Sequence, residues 1–228
     1  MAARLGEATW SELYDLRRRP LLAVPVGSCE QHGPHLPLDT DTRIATALAD
    51  ALVSSFDPGD VMVAPALTIT SSGEHASFPG TLSLGKEVVE SLLVELVHSA
   101  DWSSGVVLVN GHGGNAEAVR KAVTTLTLEK RKVLAWWPAV PGGDAHAGRT
   151  ETSLMLAIAP ELVRRDRAEA GRSEPIVELI DELRTGGVRS VSKNGVLGDP
   201  RGATAAHGRS LLTRLTIDLV AAVDEWWD

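Results

Sequence analysis

A chain of 228 residues with 43% hydrophobic and 23% charged side chains has the composition of an ordinary globular protein with a sizeable core. Its formal net charge of −8 argues against a nucleic-acid or acidic-membrane partner, which would need a basic patch. One cysteine excludes an internal disulfide framework and fits a reducing compartment. Because no signal sequence or membrane-spanning run of ~20 apolar residues is evident, we expect a cytoplasmic protein with one domain over residues 1–228.

Apolar runs alternate with helical patterns along the chain. Continuous apolar runs predict buried strands at residues 21–26, 61–67, 105–110 and 133–137. Apolar residues three or four positions apart predict helices around residues 44–52, 88–97, 119–126, 154–158 and 211–227, with another within 173–183. Residues 71–81 lack periodicity and predict an ordered loop, and residues 191–207 predict a long excursion. The alternation predicts an α/β fold, a layered sandwich with a mainly parallel sheet flanked by helices.

The turn after the first predicted strand contains a carboxylate and an imidazole two residues apart, Glu30 and His32. In an extended segment both side chains leave the same face, and Asp41 follows where the next helical pattern starts. Mixed nitrogen and oxygen donors suit Zn, Fe(II) or Mn. Taken alone, the same residues also fit a polar loop with a capping aspartate and solvated histidines.

Further donors follow the third and fourth predicted strands. His112 lies directly after residues 105–110, and His146 and Glu151 come soon after residues 133–137. The carboxyl ends of parallel strands share one edge of the sheet, so these turns can converge on Glu30 and His32. The sequence therefore predicts a metal site built from several loops.

A dinucleotide-binding oxidoreductase is the alternative from a different class. Residues 111–116 fit G-x-G-x-x-A after a strand and before a helix, where Asn115 can cap that helix. That fingerprint expects an acidic residue about 20 positions later, but the next strand ends in Trp136 and Trp137. It also leaves Glu30 and His32 unexplained.

Five segments together resemble the creatininase family: EQHGPHLPLDTDT (30–42), GEHASFPGTLSL (73–84), NGHGGN (110–115), HAGRTETS (146–153) and NGVLGDPRGAT (194–204). The resemblance spans nearly the whole chain. It implies a dinuclear metal-dependent amidohydrolase with a layered α/β fold that assembles as a homo-oligomer. Matched residue by residue, the family's metal ligands fall on Glu30, His32, Asp41 and His112, with Asp41 as the bridge.

One departure from the family concerns the second metal. Creatininase carries a ligand glutamate where this chain has Gly114, so another carboxylate is needed, and Glu151 is the best placed by sequence. We expect His146 to serve as general acid and base, with Glu151 beside it in the catalytic centre. Glu74, His75, Gly113 and Gly114 are candidates for substrate binding. Two divalent ions are implied, Fe(II) or Zn, with Mn also acceptable to this donor set.

The NGHGGN form resembles a branch of the family that includes formamide deformylases and a peptidase acting on a modified precursor peptide. The segments LGEAT and PLDTDTRIA and the overall length resemble the peptidase most. The resemblance implies removal of a C-terminal Val-Tyr dipeptide from a radical-SAM-modified precursor peptide. A small-molecule amidohydrolase, a formamide deformylase and a metal-stabilised peptide-binding module stay open. Trp226 and Trp227 are expected at a subunit contact, since aromatic residues are enriched at interfaces.

Overall fold

The computed structural model describes residues 3–227, which form one four-stranded sheet. All neighbouring strands run parallel in the order β2-β1-β3-β4. The strands are β1 (Leu21–Val26), β2 (Val61–Val63), β3 (Gly105–Asn110) and β4 (Val133–Trp136). This confirms the predicted α/β fold with a parallel sheet.

Eight α-helices accompany the sheet within the described residues. They are α1 (Trp10–Tyr14), α2 (Thr40–Ser54), α3 (Lys86–Ser99), α4 (Ala116–Leu128), α5 (Arg149–Ile158), α6 (Ile176–Gly186), α7 (Val188–Val191) and α8 (Ala205–Trp227). No helix within residues 3–227 has both the length and the apolar character needed to cross a membrane.

The core lies on both faces of the sheet because successive side chains of β1 point in opposite directions. Leu21 and Ala23 pack with α2, α5 and α8, whereas Leu22 and Val24 pack with α3 and α4. Every residue of β1 is buried, which accounts for its continuous apolar sequence. Burial on both faces was therefore readable from the run of apolar residues.

Several predicted boundaries are wrong: β4 ends at Trp136 and α8 begins at Ala205, inside the expected excursion, and two further differences have an identifiable cause. The strand expected at 61–67 ends at Val63, because the next N–H that β1 would donate in this ladder belongs to Pro25, which has none; Leu67 rejoins β1 as an isolated bridge. The helix expected to open at Leu154 begins at Arg149. The Asp144 carboxylate accepts from the backbone N–H groups of Arg149 and Thr150, so the helix starts five residues earlier than the apolar pattern.

The two C-terminal tryptophans pack on their own chain. Trp226 lies against Gly105 with the Lys132 ammonium 5.3 Å from its ring centre, and Trp227 meets Phe56 edge-on at 5.8 Å. Both are half-buried by these contacts. Contacts within the chain therefore account for part of the burial of both tryptophans, and the expected subunit contact stays a prediction.

Candidate metal centre

The register of β1 and β3 brings the first two predicted turns together. Val26 pairs with Asn110 at the carboxyl ends of these strands, so the segments from Gly27 and Gly111 leave the sheet side by side. Gly111 packs so closely on the Asp41 carbonyl that a side chain at 111 would overlap it. Glycine is required here for contact with α2, which gives this turn a reason unrelated to a dinucleotide.

Asp41 lies between two imidazoles. Its Oδ1 is 3.0 Å from His32 Nε2, and its Oδ2 is 3.0 Å from His112 Nδ1. All three residues are buried. Each oxygen of one carboxylate thus faces a different nitrogen donor, which is the arrangement expected of a bridging ligand.

Glu30 is fully buried between two imidazoles. Its Oε2 lies 3.1 Å from His112 Nε2 and its Oε1 lies 3.3 Å from His75 Nε2. Despite this proximity, neither oxygen has a partner with hydrogen-bonding geometry among residues 3–227. A buried carboxylate without a donor is costly, and a coordinated cation would remove that cost.

Glu151 and His146 approach the same centre from the segment after β4. Glu151, in the first turn of α5, lies 3.8 Å from His32 Nε2 and accepts a 2.6 Å hydrogen bond from the Ala147 N–H. The His146 ring lies 4.3 Å from the His32 ring, with Nδ1 3.8 Å from Glu30 Oε1. The structure therefore brings all five sequence-predicted ligands and His146 together.

Three groups of these residues could hold a cation, since the donor atoms in each group lie within 4.8 Å of one another. The groups are Glu30 with Asp41 and His112, His32 with Asp41 and Glu151, and Glu30 with His32 and His146. The first two share Asp41. Together they form a pair of candidate sites that share one carboxylate.

The pKa values of the residues in the centre are consistent with the binding of divalent cations. Burial raises the pKa of Glu30 to about 8 and that of Glu151 to about 7. Burial opposes the charged forms of His32 and His112, but neighbouring carboxylates, with Asp41 first for His32 and Glu30 first for His112, raise both pKa values to about 10. The protein alone therefore balances its carboxylates by taking up protons. Divalent cations would replace those protons, because metal ligands bind in deprotonated form.

The four candidate substrate-binding residues lie at different depths. His75 is buried against Glu30 and does not lie at the solvent surface. The Glu74 side chain is 30% exposed and lies 3.8 Å from His112 Nε2. A side chain at Gly114 would overlap both Glu74 Oε1 and His112 Nε2, whereas Gly113 is exposed with open space around it. Glu74 and Gly113 are thus the more accessible members.

Several polar neighbours hold the centre in place. Ser28 Oγ donates to Asp41 Oδ2 at 2.8 Å, a contact that sequence reasoning missed because serine carries no ligand signature. Asn115 does not cap α4; its amide donates to Gly27 O and Asn110 Oδ1 and so ties the two turns together. Asp39 neither caps α2 through its side chain nor orients a ligand; it binds Arg43 at 2.8 Å.

Comparison with known proteins gives the family. The family model described as "Creatininase: Creatinine amidohydrolase" matches residues 6–223. The chain belongs to the creatininase family. It is a hydrolase of that family, as the motifs predicted. The dinucleotide-binding alternative is therefore wrong.

Relatives within the family refine the similarity. The chain is 47% identical to the mycofactocin precursor peptide peptidase of Mycolicibacterium smegmatis over 227 residues, covering 97% of this chain and 91% of the relative. A solved creatininase mutant of "Zn-Zn type" shares the fold with a TM-score of 0.83, at 24% identity and 99% coverage of both chains. A structure named "Creatininase Mn" has a TM-score of 0.82, at 23% identity and 99% coverage of both chains.

Proposed function

We propose that this creatininase-family hydrolase is a metal-dependent peptidase that removes the C-terminal Val-Tyr dipeptide from the modified mycofactocin precursor peptide. The observation that carries the proposal is its similarity to the mycobacterial peptidase over nearly the whole of both chains. The donor set around Asp41 supports it, because hydrolysis of an unactivated amide needs a strong nucleophile and a polarised carbonyl.

In this proposal two divalent ions occupy the groups that share Asp41. Glu30, Asp41 and His112 would hold one ion, and His32, Asp41 and Glu151 would hold the other. Fe(II), Zn and Mn all accept nitrogen and carboxylate donors. When bound, such ions lower the pKa of a water toward neutrality and polarise the carbonyl oxygen.

His146 moves the proton in this scheme. Its Nδ1 faces the carboxylates, while its Nε2 lies 2.8 Å from the Gln31 carbonyl oxygen, which fixes the ring. The reaction joins a water oxygen to the scissile carbonyl carbon and breaks the carbon–nitrogen bond. His146 accepts the proton that the water loses and returns it to the leaving amine. Glu151 would hold the ion on the other side of Asp41, and the hydrogen bond from the Ala147 N–H fixes its carboxylate.

The open side of the centre receives the peptide. Glu74 and Gly113 lie at this side, and Gly114 leaves room for Glu74 beside His112. His75 supports the inner wall, where it contacts Glu30. We further propose that residues 1–228 act as one domain in the cytoplasm. The resemblance to the creatininase family also leads us to propose that the chain assembles as a homo-oligomer.

Mass spectrometry of the modified precursor peptide tests this function. Protein loaded with Zn, Fe(II) or Mn should release an intact dipeptide, while chelator-treated protein and the Asp41→Ala variant should release none. Tight peptide binding without cleavage by any loaded form would instead support the binding-module alternative. Turnover of creatinine or of a formamide, with the peptide left intact, would support the small-molecule alternatives.

A further inference from the structure

Gln31, the only glutamine of the sequence, lies between the two imidazoles His75 and His146. It is buried, and its amide orientation is set by backbone groups on both sides. The Gly33 N–H donates to Oε1 at 2.9 Å, and Nε2 donates to the Gly195 carbonyl at 3.0 Å. Exchanging the amide oxygen and nitrogen would break both bonds, so Nε2 has one remaining N–H to donate.

That remaining N–H determines the tautomer of His75. Gln31 Nε2 lies 2.9 Å from His75 Nδ1, which must accept because an amide nitrogen only donates. A ring nitrogen that accepts a hydrogen bond carries no proton, so the His75 ring is neutral with Nδ1 bare. Its proton therefore resides on Nε2, the atom 3.3 Å from Glu30 Oε1.

The backbone of the same residue determines the tautomer of His146. The Gln31 carbonyl oxygen lies 2.8 Å from His146 Nε2 and can only accept, so that nitrogen carries the proton. The Gln31 amide nitrogen is 3.0 Å from the same atom, but two donors form no hydrogen bond and this approach is packing. His146 Nδ1 is left with its lone pair toward Glu30.

We propose that Gln31 is a positioning residue that assigns the protons of the two imidazoles beside Glu30. Its side chain keeps the His75 proton on Nε2, facing the carboxylate. Its backbone keeps the His146 proton on Nε2, which leaves a free Nδ1 facing the centre. The catalytic consequence rests on the proposed function, whereas the proton assignment itself does not.

The unmodified chain provides the first test, without any peptide substrate. Long-range ¹H–¹⁵N spectra of metal-free and zinc-loaded protein report which nitrogen of each imidazole carries the proton. We expect Nε2–H for both His75 and His146 in either form. A proton on Nδ1 of either ring would overturn the proposal, whatever the substrate of the enzyme proves to be.

The Gln31→Met variant provides the second test, because methionine keeps similar length without the amide donor. We expect His75 to lose its fixed Nε2–H, while His146 keeps its tautomer because a backbone carbonyl holds it. With zinc content unchanged, kcat for the peptide should fall about 10–100-fold at similar KM, as for supporting partners of metal sites.

Ser103→Ala is the matched control, since it removes another buried polar side chain at the opposite edge of the sheet. It should leave the spectra of both imidazoles and kcat unchanged. Unchanged tautomers in Gln31→Met would overturn the side-chain role, as would loss of zinc in proportion to activity. If Gln31→Met fails to fold, the spectra of the unmodified chain still decide the assignment.

Discussion

The two sides of Asp41 differ in how the chain supports them. On the Oδ2 side, Glu30 is fully buried and has no hydrogen-bond partner among the described residues. On the Oδ1 side, the Glu151 side chain is 22% exposed and receives a hydrogen bond from Ala147. The first side therefore lacks the protein donor that holds the carboxylate of the second.

The two sides also differ in their origin in the fold. Glu30 and His112 follow neighbouring strands whose ends are paired, so their backbones are fixed before any ion binds. Glu151 comes from α5, after the edge strand β4 and a connecting segment of twelve residues between Trp136 and Arg149. Its position depends on local hydrogen bonds near Ala147. Substitutions can test whether the two sides fail in different ways.

Removing the residue common to both sides should have the largest effect. Asp41→Ala takes away the only carboxylate shared by the two candidate groups, so we expect peptide hydrolysis to fall by more than about 10⁴-fold, beyond a general acid/base contribution. Metal content by ICP-MS should fall with it. The control is Asp39→Ala, which loses only the surface pair with Arg43 and should retain activity. Full activity with normal metal content in Asp41→Ala would disprove the bridge.

His146 contacts the centre without belonging to either group that shares Asp41. His146→Ala should keep both ions but lose about 10²–10⁴ in kcat, the usual size of a general acid/base contribution. The measurement pairs kcat with metal content in the same preparation. An emptied metal site in His146→Ala would instead assign this imidazole to the group with Glu30 and His32.

Glu30→Ala and Glu151→Ala compare the two sides directly. Glu30→Ala, on the buried side, should lower the affinity for its metal ion by more than about 100-fold. Glu151→Ala, on the partly exposed side, should lower the affinity for the other ion by about 10–100-fold, the range known for residues that support a metal site. Excess metal should therefore restore Glu151→Ala more readily than Glu30→Ala. Titration of metal into chelator-treated protein measures both affinities. Equal losses, or a reversed order, would show that the two sides are not supported differently.

The smallest expected effect concerns the support of Asp41. Ser28→Ala removes a 2.8 Å hydrogen bond to a buried carboxylate, of a kind worth about 1.5–3 kcal/mol. We expect about a tenfold weakening of metal binding on the Oδ2 side and little change on the other. Ser103→Ala, which lacks contact with the centre, provides the baseline. A uniform loss from both sides would indicate that Ser28 supports the fold rather than one oxygen of Asp41.

The sequence by itself determined the α/β class, the carboxyl-edge location of the centre and the family. Buried parallel strands read as continuous apolar runs, and ligand types with fixed spacing follow two of them. Glu30, His32 and His112 could be singled out because they follow directly after two continuous apolar runs that predict buried strands. The short β2 and the early start of α5 were not readable, since a proline and the Asp144 side chain overrode the apolar pattern there.

Only the tertiary structure decided which polar residues support the centre and which face solvent. Ser28 reaches Asp41, Asn115 reaches Gly27 and Gln31 reaches Gly195, partners 13, 88 and 164 positions away in the chain, which no local pattern encodes. The same is true of His75, whose loop gave no sign that it reaches Glu30. Local periodicity reports the energetics of neighbouring residues, whereas hydrogen bonds across the sheet edge depend on how distant loops are packed together.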